Sequence, residues 1–262
     1  MSSTEDTPPG PVKTAVATTL TWVGGLAGLS VGSSLAAVTL PFVNQEKRHR
    51  WFLAPAMSLN VQLTLSRISI LYDREFVKER RGVFIQNHVN MLDGQLACHV
   101  IPHEFCGLYN HWHNWIPGYG WVMYLAQGIK VYPKSKGGVA RITEQAKNRA
   151  ERNMSILAFP EGHRTRSGKV GPFKRGAFFM ARDAGLPVVP LCVRGMLEVN
   201  QPKTQVFRPG HIEVYIGKHI ETAGLSDEQL GDLADEVRNI HVRFVEEGWT
   251  PHDAEVVSTK IG

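Results

Sequence analysis

The sequence predicts an α/β fold: a mixed, largely parallel sheet flanked by helices, with an N-terminal membrane-associated helical segment. Three observations lead there. Residues 14–43 contain no charged side chain. From residue 82 onward, short apolar runs alternate with helical stretches. The chain has 262 residues and is 43% apolar, which is enough for one sizeable core and excludes a disordered polymer.

Taken in order, residues 1–12 read as a disordered tail, 13–43 as an apolar membrane segment and 44–262 as the main folded domain. About twenty residues cross a bilayer core, so the apolar run is long enough. Lys47, Arg48 and Arg50 follow it at once, which predicts that the C-terminal part stays on the cytoplasmic side. A signal peptide fits poorly, because the preceding tail carries Glu5 and Asp6 and the apolar run is too long. Gly24, Gly28 and Gly32 form a small-residue face suited to close helix packing. A helix bent at Gly24-Gly25 and lying in the interface is the other reading of this segment.

Residues 51–72 are apolar with few charges, and are expected to form an amphipathic helix on lipid or a core helix. Then the alternation begins. Strands are expected at 82–86, 104–108, 129–132, 155–159, 187–193 and 211–216. Helices are expected at 91–100, 115–126, 138–153, 175–184 and 226–247. Gly185 closes the fourth of these, and Ser226 with Gln229 opens the last as a capping box.

The net charge is +5, which suits an anionic partner without choosing among phospholipid headgroups, phosphorylated metabolites or nucleic acid. Cys98, Cys106 and Cys192 form no CxxC pair and no disulfide framework, as in a reducing compartment.

Two stretches carry chemistry. NHVNMLDG (residues 87–94) follows the first apolar strand and places His88 and Asp93 five residues apart. A carboxylate in the first turn of a helix can turn back to an imidazole just before it. It then holds the proton on one ring nitrogen and frees the other as a base. No Ser or Cys lies between them, so a base here would act on a substrate's own hydroxyl. Taken alone, the pair reads first as a polar strand-end contact. FPEGHRTRSG (residues 159–168) follows another strand and runs on to Phe173-Lys174-Arg175-Gly176. Glycine admits an anion close to the backbone and arginine binds phosphate with two parallel bonds. A solvated basic loop has the same composition.

Together the two stretches resemble the membrane-associated glycerolipid acyltransferases, typified by 1-acylglycerol-3-phosphate acyltransferase. Asn87-His88-x4-Asp93 is similar to the first block of that family, NHxxxxD. Residues 159–165 are similar to its FPEGTRS block, with His163 where the family has Thr. Phe173 to Gly176 and Val189-Pro190 through Gly195 match its later segments. The resemblance covers about residues 45–220. It implies that 44–262 is an acyltransferase catalytic domain, with His88 as the base and Asp93 as its orienting acid. It implies a substrate-binding set of Glu161, Gly162, Arg164, Lys134 and Lys174. Lys134 stands where the second block usually has Arg, and residues 109–113 differ from the family's lysine-containing stretch.

The implied reaction moves an acyl group from acyl-CoA or an acylated carrier protein to the free hydroxyl of lysophosphatidate. Membrane lipid is an expected partner, and nucleic acid, cofactors and metal are not. Another lysophospholipid acceptor, or a non-catalytic lipid-binding role, are the alternatives. The GxSxG match at residues 28–32 lies inside the apolar segment, where a hydrolase elbow has no strand to sit on. His99, His103, His111 and His113 lack the nearby carboxylates of a metal cluster, apart from Glu104. No GxxxxGK[ST] or GxGxxG is present, so no nucleotide-binding loop is expected.

Overall fold

The structure, a computed structural model, describes residues 9–115, 119–132, 138–251 and 254–259. The chain opens with a helix that runs unbroken through α1 (Pro11–Thr19), a π-helical turn (Leu20–Gly24) and α2 (Gly25–Val38). Pro11 sits at its first turn, where a missing N–H costs nothing. After a bend, the Asn44 side chain caps α3 (Gln45–Arg48) by accepting from Lys47 N at 2.9 Å. A second π-helical turn (His49–Leu53) leads into α4 (Ala54–Gln62). The two long helical stretches form one antiparallel hairpin. The boundary drawn at 43/44 falls in its bend.

The glycine face makes this packing possible. A Cβ on Gly28 would come 2.8 Å from Leu59 Cδ2, and one on Gly24 2.9 Å from Leu63 Cδ1. At Gly32 the obstacle is backbone: a Cβ would sit 2.8 Å from the Phe52 carbonyl oxygen and against the Ala56 side chain. The small residues thus serve contact within the chain, and Gly24-Gly25 is no break.

The expectation of one helix over 51–72 is corrected. The helix stops after Gln62, Leu65 takes a left-handed conformation (φ 58°), and Arg67–Tyr72 becomes strand β1. The β-branched, alternating sequence RISILY forms strand because it pairs in the sheet interior, a tertiary outcome that apolarity alone does not encode.

The other strands are β2 (Val83–Gln86), β3 (Phe105–Asn110), β4 (Ile129–Val131), β5 (Ser155–Ala158), β6 (Val188–Arg194), β7 (His211–Ile216) and β8 (Glu255–Thr259). Among the described residues they make one sheet of order β4-β3-β5-β2-β6-β7-β1-β8. The run from β4 to β6 is parallel, as is β1 with β7. The β6–β7 and β1–β8 pairs are antiparallel.

The intervening helices are α5 (Asp93–Val100), α6 (Tyr119–Leu125), α7 (Gly138–Glu151), α8 (Gly176–Asp183), α9 (Met196–Val199) and α10 (Asp227–Val245). The Ser226–Gln229 capping box is present. All residues of β2 and β5 are buried, as in a sheet covered on both faces. Alternate residues feed two cores. Phe84 and Leu157 join Leu96, Ala97 and Val61 on the α5 and α4 side. Val83, Ile85, Ile156 and Ala158 join Phe178, Leu233 and Val237 on the α8 and α10 side. The hairpin therefore packs on α5, and Thr18 and Trp22 tie it further to the carbonyls of Phe207 and Gln205, at 3.2 and 2.9 Å.

Because the Gly32 contact is with backbone, Gly32→Val is expected to destabilise the protein by about 1–3 kcal/mol through overpacking. Gly10→Ala, with nothing within 4 Å of the new methyl, is expected to leave stability unchanged. Thermal midpoints in detergent measure both. An unchanged midpoint for Gly32→Val would contradict the hairpin contact.

Candidate active site

β2 and β5 are parallel neighbours, so the chain leaves both at the same sheet edge. That geometry brings the two motif stretches together. Asn87 extends β2 by one step: its side-chain amide donates to Val193 O and accepts from Val193 N, both at 2.9 Å. The chain then turns, and α5 begins at Asp93.

Asp93 is fully buried. Its Oδ2 accepts from His88 Nδ1 at 2.7 Å, Val89 N at 2.7 Å and Asn90 N at 2.8 Å. An acceptor-only carboxylate on Nδ1 fixes the proton there and leaves the Nε2 lone pair open. The His88 side chain is 24% exposed, and Nε2 has no hydrogen-bond partner among the described residues.

The FPEG stretch holds the rest of His88. Glu161, buried, accepts from His88 N through Oε1 at 2.8 Å and from Gly171 N through Oε2 at 2.9 Å. Thr165 N donates to His88 O at 2.8 Å. The Phe159 ring stacks on the imidazole, with centroids 4.2 Å apart at 24°. Backbone donor, backbone acceptor and ring face of one histidine are thus gripped by a loop 73 residues further on.

Beyond this clasp the loop is cationic. Gly162 adopts φ +76°, which L side chains rarely take, and the Lys174 ammonium lies where a Cβ would project. His163, Arg164, Arg166, Lys169, Lys174 and Arg175 are exposed. Neither Arg164 nor the Lys174 ammonium has a hydrogen-bond or ion-pair partner among the described residues. From behind, α10 holds the loop: Arg238 donates to Gly171 O at 2.8 Å and Val170 O at 3.0 Å, and Glu246 accepts from Val170 N at 2.9 Å.

Of the sequence-predicted residues, His88 and Asp93 are brought into contact, and Gly162 and Lys174 meet on the neighbouring loop. Arg164 lies on that loop with its guanidinium free. Glu161 turns both oxygens to amides and is a brace for the His88 backbone rather than a group reaching outward. Lys134 lies outside the described residues.

Several residues are visible only in three dimensions. Phe159 and Thr165 stand inside the motif, but their partner does not. Arg238 and His241 lie on a helix whose sequence shows only amphipathic spacing. His241 is fully buried, with Nε2 at 3.0 Å from Ile85 O and 3.2 Å from Leu191 O, and Nδ1 at 2.8 Å from Val237 O. Burial holds its pKa below the usual imidazole value, opposed by these carbonyls.

Among the described residues no hydroxyl or thiol is hydrogen-bonded to His88 Nε2. Burial pushes the Cys98 and Cys106 thiols up to about 12, and that of Cys192 well above its ordinary value. A thiol so displaced supplies no thiolate near neutral pH. Among the described residues, no group of His, Cys, Asp and Glu is placed to hold a metal ion.

A family model described as Acyltransferase matches residues 68–194, which spans β1 to β6 and both motif stretches. The chain is 26% identical over 231 residues to the 1-acyl-sn-glycerol-3-phosphate acyltransferase of Saccharomyces cerevisiae, covering 86% of this chain and 76% of the yeast one. It is 28% identical over 174 residues to the human 1-acyl-sn-glycerol-3-phosphate acyltransferase alpha, covering 66% of this chain and 62% of the human one. In structure it is similar to the 1-acyl-sn-glycerophosphate acyltransferase PlsC of Thermotoga maritima. The TM-score is 0.75 at 19% identity, over 92% of this chain and 99% of that one. The family model and these relatives support an acyltransferase domain over residues 68–194, the span that carries both motif stretches joined at one sheet edge.

Proposed function

We propose that this protein transfers a fatty acyl group from a thioester, acyl-CoA or an acylated carrier protein, to the free hydroxyl of lysophosphatidate. The observation that carries the reading is the His88–Asp93 pair, with Nδ1 held at 2.7 Å, Nε2 open, and no hydroxyl or thiol hydrogen-bonded to it among the described residues. The attacking oxygen is then the substrate's. His88 Nε2 takes the hydroxyl proton as the oxygen bonds to the thioester carbonyl carbon. The tetrahedral intermediate collapses, the C–S bond breaks with its electron pair on sulfur, and the imidazolium returns the proton to the thiolate. Asp93 stays ionised and stabilises the imidazolium between the two steps. Arg164 and Lys174 are suited to the acceptor phosphate, since their cations are exposed at the same edge and unpaired among the described residues, and Gly162 lets the backbone approach an anion. The names of the relatives point to the same acceptor.

Substrates of this kind reside in the bilayer, and the hairpin offers access to it. The helix Pro11–Val38 has 28 residues and is long and apolar enough to cross a membrane. Its outward side chains are strongly exposed, with Val12 at 76% and Phe42, in the bend, at 84%. Trp51, Trp112, Trp115 and Trp121 are exposed as well, a side-chain type favoured at the lipid–water interface. The inner side of the helix is covered by α4 and the loop at Gln205–Phe207. We therefore place the hairpin flat in the interface with one face in lipid. The basic flank that argued for the cytoplasmic side is partly structural, since the Arg48 guanidinium binds the Leu40 and Val43 carbonyls of the bend.

Acyl transfer by the purified protein in detergent, with lysophosphatidate and a headgroup-bearing lysophospholipid offered separately, tests the reading. Transfer to lysophosphatidate is expected. Use of the headgroup lysolipid alone would reassign the acceptor, and transfer to neither would sink the catalytic reading. His88→Ala is expected to reduce turnover to near background, and Asp93→Asn to lower kcat by roughly 10³–10⁴-fold, as for other orienting carboxylates. Full activity in either would exclude the pair as base and orienter. Arg164→Ala is expected to raise KM for the acceptor by about tenfold, equivalent to ~1.4 kcal/mol. An effect confined to the thioester would place that arginine on the donor's phosphates.

A further inference from the structure

Outside the reaction centre, a cavity of about 370 Å³ lies at the free edge of β4. Its walls come from the hairpin bend, the turn between α6 and β4, and α7. This is within the size range of small-ligand pockets, roughly 300–1,000 Å³. Four cations line it: Arg48, Lys130, Arg149 and Arg152. No Asp or Glu does. None of the four forms an ion pair among the described residues, although ion pairs occur elsewhere on the surface, as at Arg80–Glu221 and Lys218–Glu75.

The cations are positioned by neutral groups. Arg149 Nε donates to Gln127 O at 2.8 Å, Arg152 Nη1 to Gln127 Oε1 at 3.0 Å, and Arg48 Nη2 to Gln45 Oε1 at 2.6 Å. Arg149 of α7 and Arg152, just past its end, thus converge on one residue. Burial lowers the Arg149 pKa, and the nearby positive charge of Arg152 lowers it further. Arg48 has the Glu104 carboxylate within electrostatic reach, but Lys130, Arg149 and Arg152 gather with no carboxylate among the lining residues, and like charges so gathered are unfavourable unless an anion joins them.

The setting chooses the anion's source. Leu40 and Tyr124 also line the cavity, beside Phe42 and Trp121, which are exposed. The opening therefore stands where the apolar hairpin meets the soluble domain. We infer that this cavity binds the phosphate of an anionic membrane phospholipid as a docking site separate from the reaction centre. The assignment rests on the hairpin lying in the membrane interface. Catalysis does not require it, since none of His88, Asp93, Glu161 or Arg164 lines the cavity.

The test follows the thermal midpoint of the full-length protein in neutral-detergent micelles. Three additives are titrated: a short-chain anionic phospholipid, a zwitterionic phospholipid with the same chains, and inorganic pyrophosphate. The double variant Lys130→Gln/Arg152→Gln leaves the Arg149–Gln127 bond in place. The control Arg80→Gln/Lys218→Gln removes the same charge elsewhere. The anionic lipid is expected to raise the Tm of wild type and control. The cavity variant should need roughly ten- to thirtyfold more lipid, from about 1 kcal/mol per basic residue. An equal response in the two variants overturns the site. A cavity-dependent response to pyrophosphate with none to lipid overturns the membrane source and leaves a soluble phosphate ligand. Acyl transfer is measured in the same samples. Its absence in the wild type would sink the catalytic reading while the lipid response stands.

Discussion

One buried oxygen, Asp93 Oδ2, organises the reaction edge. It accepts three hydrogen bonds, from the His88 ring and from two successive backbone amides. The amides fold residues 88–90 around the carboxylate, so the turn that presents the histidine and the bond that orients it are one object. An acceptor-only carboxylate can hold Nδ1–H and stabilise an imidazolium. Moving the oxygen would release the turn as well as the ring.

The clasp from the other strand completes the constraint. Glu161 and Thr165 hold the two ends of the His88 residue while Phe159 covers its ring. Loops are usually the mobile part of such a fold, yet here one loop locks another. The grip depends on β2 and β5 being adjacent and parallel. His241 of α10, bridging the carbonyls of Ile85 and Leu191 just below, ties the helix to β2 and β6. The cationic loop inherits this rigidity through Glu161, which joins His88 N to Gly171 N. The base and the proposed phosphate site therefore keep a fixed separation.

Much of this was legible in the residues. Strand and helix order from residue 82 to 247, apart from the short α9, follows the alternation of apolar runs, because fully buried parallel strands read as short unbroken apolar segments; β8 was not expected. The pairing of His88 with Asp93 follows from spacing at a strand end. What was not legible depends on partners distant in sequence. RISILY became a strand because β7 and β8 flank it, although its apolarity also suited a helix. The glycine face announced close packing but not its partner, and only the fold shows that α4 of the same chain fills it. Glu161 stood among basic residues and read as part of a ligand site. Its two amide partners belong to backbone, which carries no sequence signal.

The hairpin and the reaction edge are mechanically one body, and α5 is the joint. Its first residue is Asp93, and its buried face packs against α4. Toward its other end, Ser58 Oγ of α4 lies 2.8 Å from His99 Nδ1. The hairpin, which we propose lies in lipid, thus holds the helix that holds the carboxylate. A lysolipid has its hydroxyl and phosphate near the headgroup level and its chain in the bilayer, so it must meet the base at a defined height. A freely hinged anchor would leave that height undefined. With the hairpin in the interface, as proposed, its packing against α5 sets the histidine's position relative to the membrane by the same contacts that set its orientation.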